Sequence, residues 1–128
     1  MFTKFLKSNS GYTYFVFRIL IGILFLMHGL MKWPKIASGV MDMFWFAGVI
    51  EIVGGAFLIV GLFVTYTAVL TAVEMLVAFF TVHAKDGVYN PLGNGGEPAV
   101  LFFAAFLVLM SHGAGMWSLD KMLGKNKR

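Results

Sequence analysis

Three ionisable side chains, Arg18, Glu51 and Glu74, stand where the surrounding sequence is too apolar to solvate them, and His28, Lys32 and His83 lie toward the ends of the apolar runs. A charge at the centre of a bilayer costs about 3 kcal/mol or more, so each such group must face a protein interior, find a partner or lose its charge. Glu51 and His28 are the natural proton-handling residues, a carboxyl and an imidazole able to pass a proton to a bound molecule. His28 and Lys32 are spaced i, i+4, on one face of a helix. With Glu51 they outline a polar pocket suited to a neutral quinone head or a small anion. Lys32, Glu51 and His83 are the expected ligand contacts, and His28 and Glu51 the expected catalytic residues.

Arg18 and Glu74 invite a different reading. On helices of the expected lengths their depths differ by only ~4 Å at ~1.5 Å per residue, within reach of an arginine side chain. A structural ion pair that fixes helix register is therefore expected. Thr67, Thr71, Glu74, Ala78 and Thr81 recur at spacings of three and four, a small and polar stripe that turns Glu74 toward other helices.

Metal and thiol chemistry find little support. The chain has no cysteine, so no disulfide, thiolate site or iron–sulfur cluster can form within it. The three histidines lack the His-x-x-Glu or His-x-x-x-His spacing of a metal site, and His112 belongs to the opposite half from His28 and His83. No metal site is expected. Asn94-Gly95-Gly96-Glu97 lacks the lysine and hydroxyl residue of a phosphate cradle and reads as the start of a helix. The 9 methionines and 14 phenylalanines read as core filler and lipid-facing surface.

The elements that must position these groups follow from composition. Of 128 residues, 59% are hydrophobic and 12% charged, against about 25% charged in a soluble domain. Mean hydropathy is +0.84. Such a chain cannot cover a water-facing exterior, which predicts an all-α integral membrane protein: a four-transmembrane-helix bundle in a single domain. The spans are expected at about 13–31, 43–62, 66–83 and 98–115, each judged against the ~20 apolar residues that cross the hydrocarbon. The 41 residues from Met43 to His83 carry only Glu51 and Glu74 as charges and must fold back on themselves. Gly61 and the run Val64, Thr65, Tyr66 and Thr67 are the turn candidates. Gly22, Gly29, Gly48, Gly55 and Gly61 supply the small faces that let helices approach in lipid, and such faces could also serve a homodimer.

The net charge of +4 comes from terminal clusters and short loops, which suits anionic headgroups and excludes a nucleic-acid face. Lys4, Lys7, Lys121, Lys125, Lys127 and Arg128 lie on the terminal side, against Lys32, Lys35 and Lys85 opposite. The positive-inside rule then predicts cytoplasmic termini and an outward polar loop between Lys85 and Glu97. Lys4 and Lys7 before an apolar stretch could also begin a signal peptide, but Arg18 within the stretch and the missing A-x-A site favour a retained span.

In order along the chain, these landmarks resemble the DoxX family of small four-span membrane proteins. Arg18, Gly22 and His28-Gly29-Leu30-Met31-Lys32 resemble its first helix, and Glu51-Ile52-Val53-Gly54-Gly55 through Gly61-Leu62 its second. Met75, Ala78 and His83 follow, Gly95-Gly96-Glu97 opens the fourth helix, and Gly113-Ala114-Gly115-Met116-Trp117-Ser118-Leu119-Asp120 resembles the closing segment. Tyr66 and Ala114 depart from the arginine and proline common in relatives. The resemblance implies a plasma-membrane protein, and some relatives are described as subunits of quinone-linked oxidoreductases, including thiosulfate oxidation. It thus implies an accessory or quinone-interacting subunit, with a redox partner protein supplying electrons, rather than an autonomous enzyme. A small proton-coupled transporter using Glu51 or Glu74, and a non-catalytic membrane scaffold, are the other readings open to these residues.

Overall fold

The computed structural model describes residues 1–125; Lys127 and Arg128, counted in the charge balance above, lie outside the described residues. A short helix α1 (Phe2–Ser8) precedes α2 (Ser10–Met31), whose 22 residues extend about 33 Å. After α3 (Trp33–Ala37) come α4 (Met43–Val60) and α5 (Val64–Ala78), which continues as a π-helical turn over Phe79–His83. Then follow α6 (Pro91–Asn94), α7 (Glu97–His112) and α8 (Leu119–Met122). The described residues contain no strand. Ser10–Met31, Met43–Val60 and Val64–His83 are long and apolar enough to cross a membrane, and α7 is a shorter apolar helix.

The ends of these helices differ from the expected ones for local reasons. Gly61 caps α4 in the left-handed conformation, so α4 stops at Val60 rather than at 62. The β-branched run starting at Val64 does not form the turn; it opens α5. The whole reversal takes place in Gly61–Phe63, and Phe63 itself is left-handed at φ 49°. The last long helix ends at His112, short of 115, because Gly113 takes φ 73° and ψ −153°, a conformation closed to side-chain-bearing residues.

Helices α2 and α4 pack along their length with backbones almost touching. A Cβ on Gly55 would lie 2.6 Å from the Leu26 nitrogen, one on Gly29 2.7 Å from the Ile52 nitrogen, and one on Gly22 2.9 Å from the Ile59 nitrogen. In lipid, where burial of apolar surface drives nothing, such close packing replaces the hydrophobic effect as the source of cohesion. Helices α5 and α7 form the second close pair, with Ala72, Ala99 and Ala105 in the core. The two pairs meet across an aromatic layer. The Phe25 ring lies 4.9 Å from that of Phe106 and 5.3 Å from that of Phe102. Outside this core the long helices show Leu20, Leu24, Met27, Val69 and Leu101 at roughly half exposure or more, a surface made for hydrocarbon.

At the α3–α4 corner, Asp42 caps α4 by accepting from the Trp45 amide at 3.0 Å and pairs with Lys35 at 2.6 Å. The hydrogen bond from Lys35, reinforced by the Trp45 amide, holds the Asp42 carboxyl below the usual carboxylate range. Its contribution is complete above about pH 3.9, where the unfolded carboxyl is ionised, and is lost as pH falls through the lower folded value. Asp42→Ala should lower the melting temperature in detergent at neutral pH, the difference from wild type closing only below about pH 3.9. In the same assay Gly55→Ala should cost about 1–3 kcal/mol through backbone displacement. Gly93→Ala, whose Cβ meets only Asn90 side-chain atoms at 3.7 Å and beyond, should be neutral.

Candidate ligand-binding site

One end of the bundle is tied shut around Arg18, which is fully buried. Its Nε donates to the Leu58 carbonyl at 3.0 Å, Nη1 to the carbonyls of Ala114 and, at 3.2 Å, Met116, and Nη2 to that of Trp117 at 2.9 Å. These acceptors are free because α4 is ending and because Gly113–Ser118 is not helical. Trp117 is left-handed at φ 50°, as Phe63 is, and both are held by bonds from the same cluster. The Asp120 carboxylate accepts from the amides of Phe63 and Val64 at 2.8 and 2.9 Å, while its own amide donates to the Gly61 carbonyl at 2.9 Å. Acidic capping at the start of α5 also suits the helix dipole. Tyr14 Oη donates to the Gly113 carbonyl, and the buried Ser118 hydroxyl to that of Gly115 at 2.9 Å. His112 stacks on Tyr14 at this end, far from the other two histidines.

The expected Arg18–Glu74 ion pair is not formed. Arg18 lies level with Gly61, whose Cβ would come 3.1 Å from the Arg18 Cζ. Glu74 is ten residues into α5, about 15 Å further along. Side chains on a helix tilt toward its N-terminus, so Arg18 reaches away from Glu74, into the carbonyls of the closing segment. In the sequence that segment stands out only as a family landmark. A signal was present: a buried guanidinium needs up to five acceptors, and the closely spaced Gly113 and Gly115 mark chain able to leave the helix and offer its carbonyls.

The other end is open. A cavity of about 580 Å³ lies between the two helix pairs, and His28 and Lys32 from α2, Glu51 from α4, Glu74 from α5 and His83 from the π-helical turn all line it. The four residues expected at a ligand site thus share one cavity, and Glu74, assigned elsewhere by the sequence, joins them. Lys32 Nζ lies 2.6 Å from Glu51 Oε2; Glu51 is buried and Lys32 partly exposed. His28 meets the edge of Phe102 at 5.2 Å. His83 Nδ1 lies 3.4 Å from the Asn94 carbonyl, and Gly96, where a Cβ would come 2.8 Å from the Phe79 ring, folds the polar loop over the π-helical turn. Such turns insert one residue into the helical repeat and often re-aim side chains at functional sites. Asn94 Oδ1 accepts from the Gly96 amide at 2.8 Å, and the segment leads into α7 as its composition suggested.

The cavity walls are otherwise apolar. Phe46 of α4 and Leu70, Val73 and Val77 of α5 line it while remaining about half exposed, so the mouth opens sideways onto the hydrocarbon-facing flank. Both carboxyl oxygens of Glu74 are buried without a hydrogen-bond partner among the described residues. No cluster of three or more His, Asp or Glu placed to hold a metal occurs among the described residues.

If Arg18 is held by carbonyls rather than by Glu74, the two residues should respond differently to conservative change. Arg18→Lys should lose about 1.5–3 kcal/mol in a detergent unfolding titration, since an ammonium cannot reproduce the guanidinium fork. Glu74→Gln should stay within about 0.5 kcal/mol of wild type.

The family model described as DoxX matches residues 13–84. An uncharacterized protein of Haemophilus influenzae is 37% identical over 130 aligned residues, covering 94% of this chain and 97% of its own length. A second uncharacterized protein of that organism is 31% identical over 75 residues, 59% of this chain and 49% of its own. No solved structure matches the chain.

Proposed function

This membrane protein belongs to the DoxX family, and from that premise we propose that it serves as an accessory, quinone-interacting subunit of a redox system in the plasma membrane. It crosses the bilayer four times, α7 being the fourth span, with both termini cytoplasmic and the cavity toward the outer half. The observation that carries this reading is the cavity itself, with its apolar walls, a mouth on the lipid flank and a cluster of polar groups inside.

The residues present fit a quinone. Lys32, His28 and His83 can offer N–H donors to ring oxygens, Phe46 and Phe102 supply flat aromatic surface, and Ile50 adds aliphatic contact. When bound, a quinone supplies two-electron, two-proton chemistry, with electrons delivered by a partner protein. The chain's own work is narrower. Lys32 holds the Glu51 carboxylate in place at 2.6 Å as a proton acceptor, and the His28 imidazole keeps an exchangeable proton beside the head. The apolar walls keep water from the remaining surface of the ring. Proton-coupled transport is the second reading, favoured by two acidic residues, Glu51 and Glu74, on one cavity.

Purified protein titrated with decylubiquinone, followed by quenching of tryptophan fluorescence, should show saturable binding. Glu51→Gln should weaken it about tenfold, the equivalent of 1.4 kcal/mol and of one charge-assisted hydrogen bond. An absence of saturable binding to wild type would remove the quinone reading.

A further inference from the structure

Glu74 carries buried side-chain oxygens that, among the described residues, find no partner in the fold. Arg18, Thr71, Ser118, Asp120 and Glu51 all have partners within the protein. Glu74 has both carboxyl oxygens out of contact with solvent and, among the described residues, no partner for either. An orphaned carboxyl in the middle of a lipid-embedded helix opposes folding, because its desolvation is not offset by a bond. A residue that opposes folding at a cavity wall is the pattern expected of a group kept for a ligand.

Its neighbours indicate what kind of ligand. Leu70, Val73 and Val77, at i−4, i−1 and i+3, form the α5 side of the mouth, with Phe46 opposite on α4. A molecule entering through that mouth comes from the hydrocarbon and passes directly beside Glu74. Lys32, the cation lining the same cavity, is already engaged with Glu51 at 2.6 Å, so Glu74 offers hydrogen bonding without a fixed countercharge.

We infer that Glu74 is the head-group anchor for a membrane-resident ligand that enters sideways between α4 and α5. The ligand is a ring bearing a hydroxyl or carbonyl oxygen, with an apolar tail that stays in the mouth beside Phe46 and Val73. The carboxyl group of Glu74 accepts from a hydroxyl of the head or donates to its carbonyl. This inference rests on the quinone reading and adds the residue that selects the head and the direction from which it arrives.

The test uses the full-length protein in detergent with decylubiquinone, comparing wild type with Glu74→Leu, Glu74→Gln and Val73→Trp, and reads both ligand-free melting temperature and dissociation constant. Glu74→Leu should melt at or above wild type yet bind about tenfold more weakly or worse. Glu74→Gln, which keeps a donor and an acceptor, should bind within about threefold of wild type. Val73→Trp, a change on the lipid side, should weaken binding by narrowing the mouth. A melting temperature lowered by Glu74→Leu makes the residue structural and overturns the inference. Equal binding by Glu74→Leu and wild type overturns it while leaving the quinone reading intact, and unchanged binding by Val73→Trp overturns lateral entry. If wild type binds no decylubiquinone, the quinone reading falls and this inference falls with it.

Discussion

A guanidinium buried in a lipid-embedded bundle has to find an acceptor for nearly every N–H it carries, and in hydrocarbon the only free carbonyls are those of chain that has stopped being helical. Arg18 imposes this demand on the rest of the molecule. Helix α4 has to end beside it, and the chain after α7 must leave the helix at Gly113 and turn its carbonyls inward. Asp120 answers the complementary need, accepting from the amides that open α5. Irregular backbone at membrane depth is tolerated only where protein buries it, and here the two charged residues satisfy the groups that the irregular segments expose.

Closing one end in this way leaves the other free to part. The α2–α4 contact is made rigid by glycines whose neighbours are backbone atoms, and α5 packs on α7 through alanines. Between the two pairs, the layer of Phe25, Phe102 and Phe106 fills the middle. Phe102 also forms part of the cavity wall, so the aromatic layer and the cavity are continuous. The cavity follows from this arrangement, two tight pairs joined at one end by polar bonds and separating toward the other.

Within the cavity the two glutamates have different surroundings. Glu51 is held by Lys32 in a short ion pair, and Lys32 remains partly exposed. Glu74 stands on the lipid-side wall with its oxygens unused. A buried pair of this kind adds little net stability, since desolvation offsets much of the attraction, and its value lies in fixing the orientation of the carboxylate. The two groups thus present one positioned acceptor and one unengaged carboxyl to whatever the cavity holds.

Much of this was legible in one dimension. Apolar runs set the helical class and the membrane setting, because no polar surface was available for water, and the 41-residue apolar run from Met43 to His83 required a hairpin with Gly61 among its turn candidates. The i, i+4 spacing of His28 and Lys32 placed them on one face regardless of what lay opposite. The partner of Arg18 was not legible in this way. Depth estimated by counting residues treats a side chain as level with its Cα, whereas arginine is long and tilted, and three of its four acceptors come from a segment 96 to 99 residues away along the chain. The same counting sent Glu74 toward Arg18. Sequence alone determined which groups could not remain in lipid unpaired; only tertiary structure decided which were paired, because carbonyls released at helix ends carry no side-chain signature and are located only by the fold that brings those ends together.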